Sequence, residues 1–193
     1  MKQSVTWVSI IFVLVLAFFG CAKPPAEEMN QAIAAVSAAE NDANALNYAS
    51  SSLVRAREAL TRMQEAADSK RYDEAKTLAS EAVAAAQKAI ADGKTGAEQA
   101  KTEVENLIEG VKAAALETEE SLRNAKTVKN IKLDFPALDR DFAGARHTLD
   151  QAEISLAGGN YQEASEKGRS ARAALSDITN RIAGAATAVS QKK

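Results

Sequence analysis

Apolar residues recur along this chain in steps of three and four, the spacing that puts side chains on one face of an α-helix. Leu53, Ala56, Leu60, Met63 and Ala67 form one such seam, and Phe142, Ala145, Leu149, Ala152 and Leu156 repeat its steps in the same phase. A short break follows each. The pattern then restarts as Tyr72, Ala75, Ala79, Ala82, Ala86 and Ala89 in one place and as Tyr161, Ala164, Gly168, Ala171, Leu175, Ile178 and Ile182 in the other. Breaks this short join antiparallel helices. A further seam precedes each pair: Met29, Ala32, Val36, Ala39, Ala43 and Leu46 before the first, and Val104, Ile108, Val111, Ala115, Thr118, Leu122 and Ala125 before the second. The spacing therefore predicts an all-α protein built as an antiparallel helical bundle of hairpins.

The two sets are one pattern written twice. A shift of 89 residues lays Ala56, Arg57 and Leu60 on Ala145, Arg146 and Leu149, and Tyr72, Glu74 and Ala75 on Tyr161, Glu163 and Ala164. Two copies of a three-helix unit are expected, over residues 26–92 and 93–193, with the boundary in Asp92-Gly93-Lys94-Thr95-Gly96. Glycine costs a helix only about 1 kcal/mol, so one long helix running through this stretch fits the sequence as well as a break does.

The turns have their own chemistry. They read SKRYDEA in the first copy and GGNYQEA in the second. Gly158 and Gly159 can end a helix in the left-handed conformation, Asn160 can cap the next, and Glu163 three residues on can reach back as in a capping box. Residues 129–135 are irregular in pattern, and Pro136 suits the first turn of a helix that follows.

Composition sharpens the energetic picture. About a quarter of the residues after Cys21 are alanine, and aromatics make up only 5% of the chain. Alanine is the best helix former, while strands draw on the β-branched and aromatic residues that are scarce here. An alanine methyl contributes near 0.8 kcal/mol on burial, against roughly 1.5–3 for a leucine. Alanine seams therefore need long helices and close approach. The few large residues, Leu60, Leu149, Tyr72, Tyr161 and Phe142 with Met63 and Phe135, are the expected packing anchors.

The N-terminus differs from the rest. Met1-Lys2-Gln3-Ser4 precedes a run from Val5 to Phe19 interrupted only by Thr6 and Ser9. That run falls short of the roughly 20 residues that span a bilayer core, and it reads as the apolar region of a signal peptide over residues 1–20. Gly20 and Cys21 follow, then Pro24 and Pro25, which cannot continue a helix interior. Cys21 is the only cysteine, so no intramolecular disulfide partner exists, and its flanks supply neither metal ligands nor a base.

Here the chain resembles a bacterial lipoprotein signal, cut between Gly20 and Cys21 and lipidated on the cysteine. Phe18 and Phe19 stand where such signals usually carry leucine and a small residue. The resemblance implies residues 21–25 as a lipidated cysteine and proline tether, and an uncleaved signal anchor is the rival reading. Two acyl chains hold a protein stably at a bilayer. Ala22, rather than an aspartate, after the cysteine implies the periplasmic face of the outer membrane. The phrase GNYQEA, with its cousin KRYDEA, resembles the start of the second helix in tetratricopeptide repeats, although no 34-residue period is present. Taken whole, the body resembles bacterial envelope lipoproteins that carry a helical domain of unknown function, a type often found with OmpA-like domains.

Little in the chain suggests catalysis. His147 is the only histidine and takes the place of Glu58 in the other copy. No serine lies in a glycine-framed elbow. Glu117, Glu119 and Glu120, like Asp134, Asp139 and Asp141, lack the spacing of a Ca²⁺ loop. No catalytic residue, cofactor or metal is expected. A net charge of −2 with both signs interspersed gives no stripe for nucleic acid. The expected partners are the membrane, through the lipid, and envelope proteins or peptidoglycan. The expected role is a lipid-anchored scaffold or adaptor, with a self-associating coiled-coil lipoprotein, a homo-oligomer, as the alternative.

Overall fold

The structure, a computed structural model, describes residues 23–191. Among them are six helices and no strand: α1 (Ala26–Asn41), α2 (Ala43–Tyr48), α3 (Ser50–Asp68), α4 (Tyr72–Thr127), α5 (Phe135–Ala157) and α6 (Tyr161–Ser190). The protein is all-α. It divides into two compact units, one ending at Lys94 and the other beginning at Thr95. That division lies inside the stretch Asp92-Gly93-Lys94-Thr95-Gly96 and two residues after the 92/93 limit given by the repeat. α4 is one helix of 56 residues, unbroken through Gly93 and Gly96. Its first part packs with α1–α3 and its second with α5 and α6.

The repeat is visible residue by residue in the third helix of each unit. Ala75, Ala79, Ala82, Ala86, Ala89 and Gly93 are buried in the first, and their counterparts under the same shift, Ala164, Gly168, Ala171, Leu175, Ile178 and Ile182, are buried in the second. The register is kept while the side chains grow. In the first unit the bulk comes instead from Val36, Leu53 and Met63, all fully buried against those alanines.

The turns before these helices are the same turn. Arg71 N–H donates to the Ala66 carbonyl at 2.8 Å and Lys70 N–H to Ala67 at 2.9 Å; Asn160 N–H donates to Ser155 at 2.9 Å and Gly159 N–H to Leu156 at 3.0 Å. Both sets form the Schellman arrangement that satisfies the last carbonyls of a helix. It requires a left-handed residue, which is Gly159 (φ 76°) in one and Lys70 (φ 58°) in the other. Gly158 keeps a right-handed helical conformation, so one glycine does the work expected of two. Asn160 makes no side-chain cap, and its N–H already goes to the Ser155 carbonyl, so Glu163 pairs with Lys167 rather than closing a box. A side chain in the left-handed region is strained by roughly 1–2 kcal/mol. Lys70→Gly is accordingly expected to raise the unfolding free energy by about 1 kcal/mol, read from urea midpoints. No gain would mean that Lys70 is relaxed there.

The first helix departs from its seam. A single run from Met29 to Leu46 is broken at Asp42, whose extended backbone ends α1 and whose carboxylate accepts the Ala45 N–H at 2.7 Å, capping α2. The break resets the helical phase. Ala32, Val36 and Ala39 are buried as the seam requires, but Ala45 and Ala49 follow, while Ala43 and Leu46 face solvent. Gly93 explains the reset: a Cβ there would lie 2.5 Å from the Ala45 backbone nitrogen and 2.7 Å from its Cα. The glycine marks a backbone-to-backbone approach beside the boundary between the units.

The connection between the first and second helices differs between the units. In the first, Ala49 alone separates α2 from α3; in the second, residues 128–134 separate α4 from α5. The third helices keep their shared register, so the extra chain pushes the first helix of the second unit further back along the sequence. Gly168 accordingly meets Leu107, and Thr179 meets Thr118, whereas Gly93 meets Ala45. The insertion is specific to the second unit.

Candidate functional site

The inserted segment shapes an opening in the second unit. Thr127 ends α4, Asn130 takes a left-handed conformation (φ 65°), and Asp134 caps α5 by accepting the Ala137 N–H at 3.0 Å, with Pro136 in the first turn. Between these fixed points Ile131 and Leu133 turn inward onto Leu122, Ala125, Leu138, Ile178 and Ile182. Lys126 binds both carboxylate oxygens of Asp139, at 2.8 and 2.9 Å, and its ammonium lies 6.0 Å from the Phe135 ring centre. The segment is thus held at both ends. Against the last turns of α6 it leaves a cavity of about 540 Å³ lined by Val128, Lys129, Asn130, Lys132, Ala185, Ala188 and Val189. Its floor is small and aliphatic. Its rim carries two lysines that make no ion pair among the described residues.

The polar ties between helices repeat as well. Ser52 donates to Asp92 at 2.5 Å, and at the equivalent positions of the second unit Arg181 donates to Asp141 at 2.7 Å, so one position pair is bonded in both units with donor and acceptor exchanged between helices. Lys88 and then Ser52 hold the Asp92 carboxyl below the usual carboxylate range. Lys76 does the same for Glu28, and Lys167, with Ser155, for Glu163. A carboxyl whose folded pKa lies below its unfolded one adds stability above the unfolded value and loses it as pH falls through the folded value. The urea midpoint should therefore drop as pH is taken below about 4, and Ser52→Ala should shrink the drop. These carboxyls are exposed or half-exposed, so the effect is modest and weakens with salt. An unchanged acid profile in Ser52→Ala would remove Asp92 from this account.

Of the residues singled out from sequence, Gly20 and Cys21 lie outside the described residues. Leu149 is buried; Leu60, Phe142, Tyr72 and Tyr161 are half-buried, with Leu60 against the first core and Phe142 and Tyr161 against the second. Met63, also an expected anchor, is fully buried, and so are Leu53, Leu138, Leu175 and Ile178, which were not named as anchors. His147 is exposed on α5, its Nε2 3.0 Å from the Gln151 amide. Among the described residues no group of three or more His, Cys, Asp or Glu is placed to hold a metal, and no helix is long and apolar enough to cross a membrane. The cavity had no sequence signal beyond the irregular stretch 129–135.

The comparisons with known proteins touch the first unit and the start of the second. Residues 27–107 match the family model of a domain of unknown function, DUF4398, so this part of the chain is similar to that family. The match runs along α1–α3 and into α4, and it ends before the inserted segment. Neither the curated proteins nor the solved structures contain a match.

Proposed function

We propose that this chain is a lipid-anchored scaffold or adaptor of the bacterial cell envelope. Acyl chains on Cys21 hold the helical body at the periplasmic face of the outer membrane, where it contacts other envelope proteins or peptidoglycan without catalysing a reaction. The observation that carries this reading is the apolar run Val5–Phe19 ending at Gly20-Cys21, with Pro24 and Pro25 separating it from a body that is helical from Ala26. The surface of that body supports it. Charged residues of both signs form cross-helix pairs such as Arg57 with Glu40 and Lys112 with Glu153, which suits a solvated helical face.

Metabolic labelling with a palmitate analogue, followed by membrane fractionation, tests the proposal. The natural chain is expected to take up label and sediment with membranes, and Cys21→Ser to lose the label and appear in the soluble fraction. A mature chain that still begins at Met1 and stays in the membrane without label would overturn the lipid anchor in favour of an uncleaved signal. A second reading, self-association as a structural lipoprotein, is favoured by Leu116 and Ile154, which are 69% and 72% exposed on the second unit. Sedimentation equilibrium separates the two: a monomer removes the self-association reading.

A further inference from the structure

We infer that the cavity between residues 128–132 and the end of α6 is a docking site for an acidic, apolar peptide segment of a partner protein, an inference that rests on the adaptor reading above. Three independent observations converge on it. The cavity belongs to the insertion: where Ala49 alone makes the connection in the first unit, residues 128–134 make it in the second, and a loop kept in place by a capped helix and the Lys126–Asp139 bond is not needed to close a hairpin. Loops set on a rigid scaffold are where binding sites are concentrated.

The floor is the second observation. The buried seam of α6 runs through Ile178 and Ile182 and continues in the same three–four steps to Ala185 and Val189, which are only half-buried. Alanine and valine leave room where the core proper places isoleucine, and Val128 opposite is 41% exposed. At about 540 Å³ the opening falls in the range of pockets that take a ligand or a few side chains. One or two bulky apolar side chains would complete the seam.

Charge is the third. Lys129 and Lys132 line the opening, no carboxylate among the described residues does, and Asn130 beside them offers both an amide donor and an acceptor to a peptide backbone. Complementary charge steers an acidic segment to this rim and rejects a basic one. An anionic membrane surface is the poorer occupant. Recognition of lipid headgroups by charge draws on clusters of about 4–8 basic residues, and among the described residues only Lys129 and Lys132 line this opening.

The test uses the full-length chain purified in detergent and two fluorescent amphipathic peptides, identical except that one carries glutamate and the other lysine around its leucines. Anisotropy should show the acidic peptide binding and the basic one not. Lys129→Glu with Lys132→Glu should weaken binding by about tenfold or more. Ala185→Glu, which fills and charges the floor, should abolish it. Circular dichroism confirms that each variant keeps its helix content, and Lys129→Gln with Lys132→Gln, expected to give an intermediate loss, serves should the charge reversal disturb folding. Equal binding of both peptides, no binding of either, or an affinity indifferent to the lysines overturns the inference. So does binding of phosphatidylglycerol vesicles with the same dependence on Lys129 and Lys132. The labelling of Cys21 does not involve this cavity, so loss of the lipid anchor and loss of the docking site are told apart by separate readouts.

Discussion

Gly93→Ala is expected to destabilise the protein by about 3 kcal/mol, the upper end of the range for forcing a methyl into a packed interior. The methyl would meet backbone: the Ala45 nitrogen at 2.5 Å and its Cα at 2.7 Å, with the Asn44 carbonyl carbon also at 2.7 Å. None of these can swing aside, because Asp42 fixes that turn through the Ala45 N–H. Helix propensity acts the other way, favouring alanine over glycine by about 1 kcal/mol, so the steric term must exceed the net loss. Gly168→Ala is the matched control. There the added methyl meets only the Leu107 side chain, with Cδ2 at 3.1 Å, and a flexible tip can rotate. The propensity gain and the small contact penalty should nearly cancel, leaving stability within about 1 kcal/mol of the natural chain. Urea denaturation followed by far-UV circular dichroism measures both. Equal losses at the two positions would show that the approach of α2 to α4 adapts.

Those two glycines also mark what the sequence could and could not disclose. Helix, hairpin and repeat were legible because each depends on a periodicity that survives averaging over many residues: the seam Val104–Ala125 is buried at every position it names, and the seam from Tyr161 to Ile182 at every position but the half-buried Tyr161. The equivalence of the two turns was legible from the tyrosines at 72 and 161, and the hydrogen bonds repeat it donor by donor. What was not legible depends on single contacts. Gly93 looks like a break because its composition is that of a break, while its cause is the backbone of Ala45, two helices earlier in the chain. The Asp42 turn left no signal for the same reason. A seam of small residues tolerates a phase reset, since alanine on either side of a face differs little in hydrophobicity. The candidate site was the least legible of all. Its floor is made of alanines indistinguishable in sequence from those of the core. Only the contrast between connections, Ala49 alone in one unit against residues 128–134 in the other, reveals that chain has been inserted beside them.

Leu138→Ala is the second large effect, with an expected loss of about 4 kcal/mol, within the span found for deleting a buried leucine side chain. The size of such a loss depends on how far the surroundings can collapse into the space, and here they are held. Leu138 is fully buried among Leu122, Ala125, Ile178 and Ile182. Asp134 secures the turn before it and Lys126 grips Asp139 beside it. Its counterpart in the first unit, Ala49, is buried too, so the added bulk belongs with the insertion: Ile131 and Leu133 pack on this same cluster. Removing Leu138 should therefore loosen residues 128–134, seen as faster amide exchange there than in the core around Ala171 and Leu175. Phe142 gives the contrast. It is the larger side chain and sits one turn further along the same seam, but it is half-buried, touching the edges of two clusters. Phe142→Ala should cost about 2 kcal/mol, less than the full penalty of a buried aromatic because part of its surface already faces water. The reverse order would place the weight of this unit on its aromatic rim rather than on the leucine beneath the inserted segment, and the loop that shapes the cavity would then be supported by something other than its own core.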